Sequence, residues 1–146
     1  MKNVNTITQR SNCPISFSLD FIGDKWSLLI IRDMMLFEKS TYSDFLNSQE
    51  KIASNIARDR LIKLTEHGFI SRSGSQARHW NRPYKLTEKA FDLIPVIVDL
   101  TLWGLKYGPF GTMEHSGAME TKNRTKLIAD IEQKLRAQGV IKAIAY

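Results

Sequence analysis

The chain has 146 residues, of which 42% are hydrophobic and 25% charged. That suffices for one domain with a real core, leaves little room for a second, and excludes a disordered chain. The net charge of +6 comes with a single cysteine and three histidines, which excludes an intramolecular disulfide framework and a dense metal cluster.

Residues 1–12 read as an N-terminal arm without the apolar stretch of a secretory signal. The longest apolar run, 93–98, is interrupted by Pro95 and is far too short for a membrane span. A cytoplasmic protein without membrane contact is therefore expected. Pro14 suits the first turn of a helix, where its missing N–H costs nothing. Ile15, Leu19 and Ile22 then recur at helical spacing, and Gly23 is placed to end the helix at C′. Asp24 suits the N-cap of the next helix, residues 25–37, which is apolar on nearly every face except at Arg32 and Asp33. Such a helix is normally central and buried. Thr41 caps a short helix over 42–48, with Asp44 favouring its N-terminal turn. After a polar break the helical period resumes over 53–67, with Ala57, Leu61 and Leu64 on one side, and Gly68 stops it.

Residues 69–73 (FISRS) read as a strand, and 83–86 (PYKL) as a returning edge strand, which makes a hairpin with a long basic tip. Thr87 caps a long helix over 88–107, kinked by Pro95. Residues 108–123 read as a linker. Residues 124–146 read as an amphipathic helix with a tail, striped by Leu127, Ile128, Ile131 and Leu135 and ending at Gly139.

Charge is segregated along this order. Residues 1–50 sum to −1, 90–146 to +1 and 51–89 to +6, so the whole excess lies in about a quarter of the chain. Such segregation points to a polyanion. Two helices with a tight turn, followed by a basic hairpin, is the order of a winged helix-turn-helix. There the second helix enters the major groove and the hairpin touches nearby phosphates or the minor groove. The expected fold is mainly α with a small β-hairpin: a winged helix-turn-helix over 13–107 with additional N- and C-terminal dimerisation helices.

The stretch Cys13-Pro14, then Leu19-Asp20-Phe21-Ile22-Gly23-Asp24-Lys25-Trp26-Ser27-Leu28-Leu29-Ile30-Ile31-Arg32-Asp33, resembles the opening of the HxlR family of bacterial and archaeal transcription regulators. Tyr42-Ser43-Asp44-Phe45, Arg60-Leu61 with Leu64 and Gly68, Tyr84-Lys85-Leu86-Thr87-Glu88-Lys89 and Leu93-Ile94-Pro95-Val96 follow in register. The resemblance covers residues 13 to 105. It implies a winged helix-turn-helix dimer on operator DNA, with dimer contacts from the first helix and the helices after the wing. It also implies a response to thiol-reactive compounds through a cysteine at the position of Cys13. The chain departs from the family in three places. Ala53 stands where a serine often caps the recognition helix, which leaves Ser54 to take that role. Pro83 replaces a usually acidic residue, and the wing over 73–82 is short and basic. Residues 109–146 run past the usual family end.

Base contacts come mainly from the N-terminal part of a recognition helix, which nominates Ser54, Asn55, Arg58 and Asp59, with Lys63 flanking. Asn pairs bidentately with adenine, Arg with guanine, and Asp accepts from cytosine N4. Asp59 is double-edged, since near phosphates it repels unless paired to Arg58 or Arg60 or aimed at a base. On the hairpin, Arg72, Arg78, His79 and Arg82 suit phosphates or a narrow minor groove, while Trp80 more simply packs the wing against the body. All of these are also compatible with an ordinary exposed polar surface.

Cys13 immediately precedes a helix N-terminus, which favours thiolate, and Arg10 is placed to add to this. The plainer reading is a small core residue. Trp26, Trp103, Tyr107 and the Met34-Met35 pair suit core packing more than a ligand pocket. His67, at a helix end, needs no functional role. No P-loop, GxSxG, HExxH or paired CxxC is present, so neither catalytic residues nor cofactor nor metal are expected. The partners expected are double-stranded operator DNA, a second copy of the chain and an electrophile or small-molecule inducer. The alternative is a winged-helix protein-interaction module that does not read DNA, favoured if the basic segment is buried between subunits.

Overall fold

The computed structural model describes residues 10–72, 82–110 and 123–139. The described elements run α1 (Pro14–Ile22), α2 (Lys25–Leu36), α3 (Tyr42–Leu46), α4 (Ser54–Glu66), β1 (Ile70–Arg72), β2 (Tyr84–Leu86), α5 (Glu88–Phe91), α6 (Ile94–Tyr107) and α7 (Arg124–Ala137). The strands form an antiparallel pair with Ile70 opposite Leu86, Ser71 opposite Lys85 and Arg72 opposite Tyr84. This is the mainly helical, winged helix-turn-helix order expected from the sequence.

The nearly all-apolar α2 lies at the centre. Ile30, Ile31, Met34 and Met35 are buried, and the helix packs against α1, α4, α6, α7 and β2. Asp24 caps it, its carboxylate accepting the Ser27 N–H at 2.9 Å. Thr41 and Asp44 form a reciprocal capping box on α3, which is why so short a helix holds its first turn. That helix ends at Leu46 rather than Ser48. The backbone N–H of Asn47 and Ser48 closes on Ser43 and Phe45, and the Ser48 hydroxyl turns inward.

α4 ends in a Schellman motif. The Gly68 N–H donates to the Thr65 carbonyl and the Phe69 N–H to the Leu64 carbonyl, with Gly68 at φ +76°. Leu64 and Phe69 are both buried. Chain direction into β1 is thereby set by the residue that leaves the left-handed region open.

Five local expectations need correction. Gly23 caps α1 in the right-handed region at φ −72°, where an added Cβ would collide with the Leu19 carbonyl. Ser54 does not cap α4. The N-cap is Ala53, without a side-chain bond, so Ser54 is the first helical residue. Both strands begin one residue later than expected, at Ile70 and Tyr84. Thr87 occupies an N-cap, but its hydroxyl donates to the carbonyls of Gly68 and Phe69 and ties α5 to the start of β1. Finally, Pro95 does not kink one long helix; it divides two. A proline there cannot donate to the carbonyl of Phe91, so α5 stops after four residues and α6 begins with Pro95 in its first turn.

α7 buries Leu127, Ile131 and Leu135 against α6 and α2 of the same chain. Its N-cap is Asn123, accepting the Lys126 N–H at 3.0 Å. Gly139, at φ +66°, follows its C-cap as expected. The stripe that was expected to seek a partner subunit is thus covered within the protomer.

Candidate nucleic-acid interface

The α3–turn–α4 unit is held from three sides. The Tyr42 hydroxyl donates to the Ser54 carbonyl at 3.1 Å, fixing the start of α4 to α3. Beneath the turn lies Asp33, which is 2% exposed. Its carboxylate accepts from Arg32 Nε at 2.9 Å, Ser48 Oγ at 2.7 Å and Lys39 Nζ at 3.1 Å. Arg32 also pairs with Glu50 at 2.7 Å and holds that carboxyl below the usual range. Asp44 is likewise held low, first by the Ser40 N–H, then by that of Thr41. The Asp33 network therefore fastens both Ser48 and Glu50 of the turn to α2. In the sequence Asp33 is a lone acid in an apolar helix, a signal that does not nominate its partners.

With Ala57, Leu61 and Leu64 turned inward, α4 presents Ser54, Asn55, Arg58, Asp59 and Lys63 to solvent. The five nominated residues share one exposed surface. They are not equally available. Asp59 Oδ2 lies 3.1 Å from Lys63 Nζ and 3.2 Å from Arg60 Nη1. Arg60 Nε in turn lies 3.1 Å from the Asp24 carboxylate, close enough for an ion pair though poorly aligned for a hydrogen bond. Arg58 makes no ion pair or side-chain hydrogen bond with another described residue.

On the hairpin, the Arg72 guanidinium lies over the Tyr84 ring at 5.0 Å, across the strand pair. Arg82 is half-buried just before β2. Arg78, His79 and Trp80 lie outside the described residues. The Tyr84 N–H donates to the Ser40 carbonyl at 2.7 Å, which joins the hairpin to the segment entering α3.

A second cluster, not nominated from sequence, joins α1 to the end of α4. The Lys89 ammonium donates to the His67 carbonyl at 2.8 Å and sits 4.7 Å from the Phe69 ring and 5.1 Å from that of Phe21. The His67 ring meets Phe21 edge-on at 5.0 Å. Cys13 is exposed at the N-cap of α1, its side chain making no capping bond. Arg10 pairs with Asp20, so its charge is directed there rather than toward the thiol. Met34 and Met35 are core, whereas Trp103 and Tyr107, expected in the core, are exposed with their rings 5.1 Å apart and tilted at 46°, so these residues do not line a shared cavity.

A family model for HxlR-like helix-turn-helix proteins matches residues 21–111. The chain belongs to the HxlR-like helix-turn-helix family. The match contains α2 through α6, while Cys13 and most of α1 precede it and α7 follows it. The chain is 30% identical over 95 residues to YdeP of Bacillus subtilis, an HTH-type transcriptional regulator, covering 65% of this chain and 73% of that protein. It is 23% identical over 105 residues to YdzF of the same organism, also an HTH-type transcriptional regulator, covering 72% of this chain and 96% of that one. Among solved structures, it resembles PA1607, a proposed transcription factor, with a TM-score of 0.63, 32% identity and 74% of each chain covered. Among the described residues, no helix is long and apolar enough to cross a membrane.

Proposed function

We propose that this HxlR-like protein is a homodimeric, sequence-specific transcription regulator, not an enzyme, that reads double-stranded operator DNA with α4. The observation that carries this reading is the exposed Ser54–Asn55–Arg58 surface of α4, held by the capped α3 and the Asp33 network and followed directly by a basic hairpin. α4 enters the major groove, Asn55 and Arg58 meet base edges, and Arg72 and Arg82 approach phosphates, as do Arg78 and His79 of the segment between the strands. Residues 13–107 form the DNA-binding and dimerising unit. Selection of bound duplexes from a random pool, repeated at several salt concentrations, tests it. Enrichment of one sequence supports the reading, and salt-dependent binding without enrichment leaves an interaction module as the better account.

Arg58→Ala should cost about 1–3 kcal/mol of operator affinity and relax preference at one position per half-site. Equal losses on operator and unrelated duplex, measured by fluorescence anisotropy, would remove Arg58 as a base reader.

The partner subunit meets α1 and α6. Val96, Leu100, Trp103 and Tyr107 recur along one face of α6 and are all exposed, Trp103 at 66%. On α1, Ile15 and Leu19 are exposed one turn apart. A two-fold mate is the commonest cover for such faces. The two recognition helices then fall about 34 Å apart, one turn of duplex.

Cys13 is the residue through which an electrophile acts. It is exposed and lies at the N-terminus of a helix in that same dimer face, where an adduct shifts α1 against its mate. Alkylation of the native protein should lower operator affinity, and Cys13→Ser should bind the operator yet not respond. An unchanged affinity after complete alkylation of Cys13, verified by mass spectrometry, would refute the sensor.

A further inference from the structure

The exposed charges of α4 cancel. Arg58 and Lys63 are matched by Asp59 and Glu66, while Arg60 turns back to Asp24. The +6 excess of residues 51–89 therefore lies almost wholly outside the helix that faces DNA in the reading above, on which this inference rests. An isolated exposed ion pair is weak because two long side chains must be held still. Asp59 is not isolated. Asp24, Arg60, Asp59 and Lys63 form a chain of alternating sign, with contacts of 3.1, 3.2 and 3.1 Å, and Arg60 is largely withdrawn from solvent. The carboxylate is thus fixed by α2 before it reaches Lys63.

We propose that Asp59 is a specificity-determining residue that suppresses binding to arbitrary DNA. It holds the Lys63 ammonium along the helix surface instead of leaving it to the phosphates. Non-specific affinity is almost entirely a matter of cations replacing counterions on the backbone. A recognition helix with no net exposed charge adds nothing to that affinity, so its approach is rewarded only where Asn55 and Arg58 find matching base edges. The basic hairpin supplies attraction to any duplex and the neutral helix supplies discrimination, since specificity is a difference between two affinities.

The test compares the selected operator with an unrelated duplex for the full-length protein, across a salt series. Asp59→Asn should free Lys63 for one more phosphate. The log-salt slope should steepen by about 0.9, and the loss of affinity between about 50 and about 200 mM salt should grow about threefold. Affinity for unrelated duplex should rise about threefold at low salt, and the operator-to-unrelated ratio should fall by a similar factor. In a Lys63→Gln background the same Asp59→Asn change should leave the slope where it was. Unchanged slope and unrelated-duplex affinity in Asp59→Asn would overturn the proposal. So would loss of operator affinity alone, which would make Asp59 a direct acceptor from a base. A wild-type protein that binds no duplex overturns the DNA reading itself, whereas operator binding with an indifferent Asp59→Asn variant overturns this inference only.

Discussion

Asp33→Ala should lower the unfolding free energy by about 3 kcal/mol, because removing one partner of a buried ionic cluster leaves the others uncompensated. The Asp33 carboxylate receives Arg32, Lys39 and the Ser48 hydroxyl, and no other described acid replaces it beneath the turn. Glu50 keeps its hold on Arg32. Lys39 and Ser48 lose their shared acceptor, so the α3–α4 turn keeps its Glu50 tie to α2 but loses the one through Ser48. Arg32 and Lys39 each retain 24% of their side-chain exposure, which places the cost near the lower end of the range for buried pairs. Urea unfolding followed by circular dichroism measures it. A loss below about 1 kcal/mol would mean that the cluster behaves as a surface pair. Acid acts on neighbouring carboxyls. Asp44 and Glu50 are both depressed, so their contribution is complete above their ordinary values of 3.8 and 4.5 and disappears as pH falls through the lower folded values. Stability should therefore decline on acidification past that point, with no matching loss on the alkaline side from these two groups.

Trp103→Asp should prevent the proposed dimer from forming and weaken operator binding about a hundredfold or more, since two linked half-site contacts become two independent ones. Trp103 is exposed on α6, its ring 5.1 Å from that of Tyr107, so the protomer keeps its core when the ring is replaced. A charge placed between Leu100 and Tyr107 opposes burial of that face against a mate. Light scattering reports the mass, and anisotropy on full and half operators reports affinity. A variant that remains dimeric with wild-type operator affinity would move the subunit contact away from α6. Monomeric wild-type protein binding a palindromic site tightly would remove the dimer altogether.

Elements whose signals are local are legible in the amino-acid order alone. The Asp24 cap, the Thr41–Asp44 capping box, the Gly68 and Gly139 stops and the inward stripe of Ala57, Leu61 and Leu64 each depend on residues within a turn or two. The exposed candidates on α4 followed from the same periodicity, because a helix that hides one stripe must show the opposite one. Segregated charge and element order then pointed to DNA. Tertiary structure decided what depends on groups far apart in the chain. Thr87 occupies the N-cap of α5 without a side-chain capping bond because its hydroxyl goes to the carbonyls of Gly68 and Phe69, nineteen and eighteen residues away. Pro95 divides two helices because β2 and the Thr87 bonds to the Gly68 and Phe69 carbonyls already position α5, so an interrupted helix costs little beyond the bonds proline forbids. α7 has a covered stripe only because α2 and α6 offer it a groove, which no pattern within residues 124–137 announces. The pairing of Asp59 to Lys63 was within reach at helical spacing, but its anchoring through Arg60 to Asp24 spans two helices. Periodicity shows which face a residue occupies; only packing shows which distant charge it meets there.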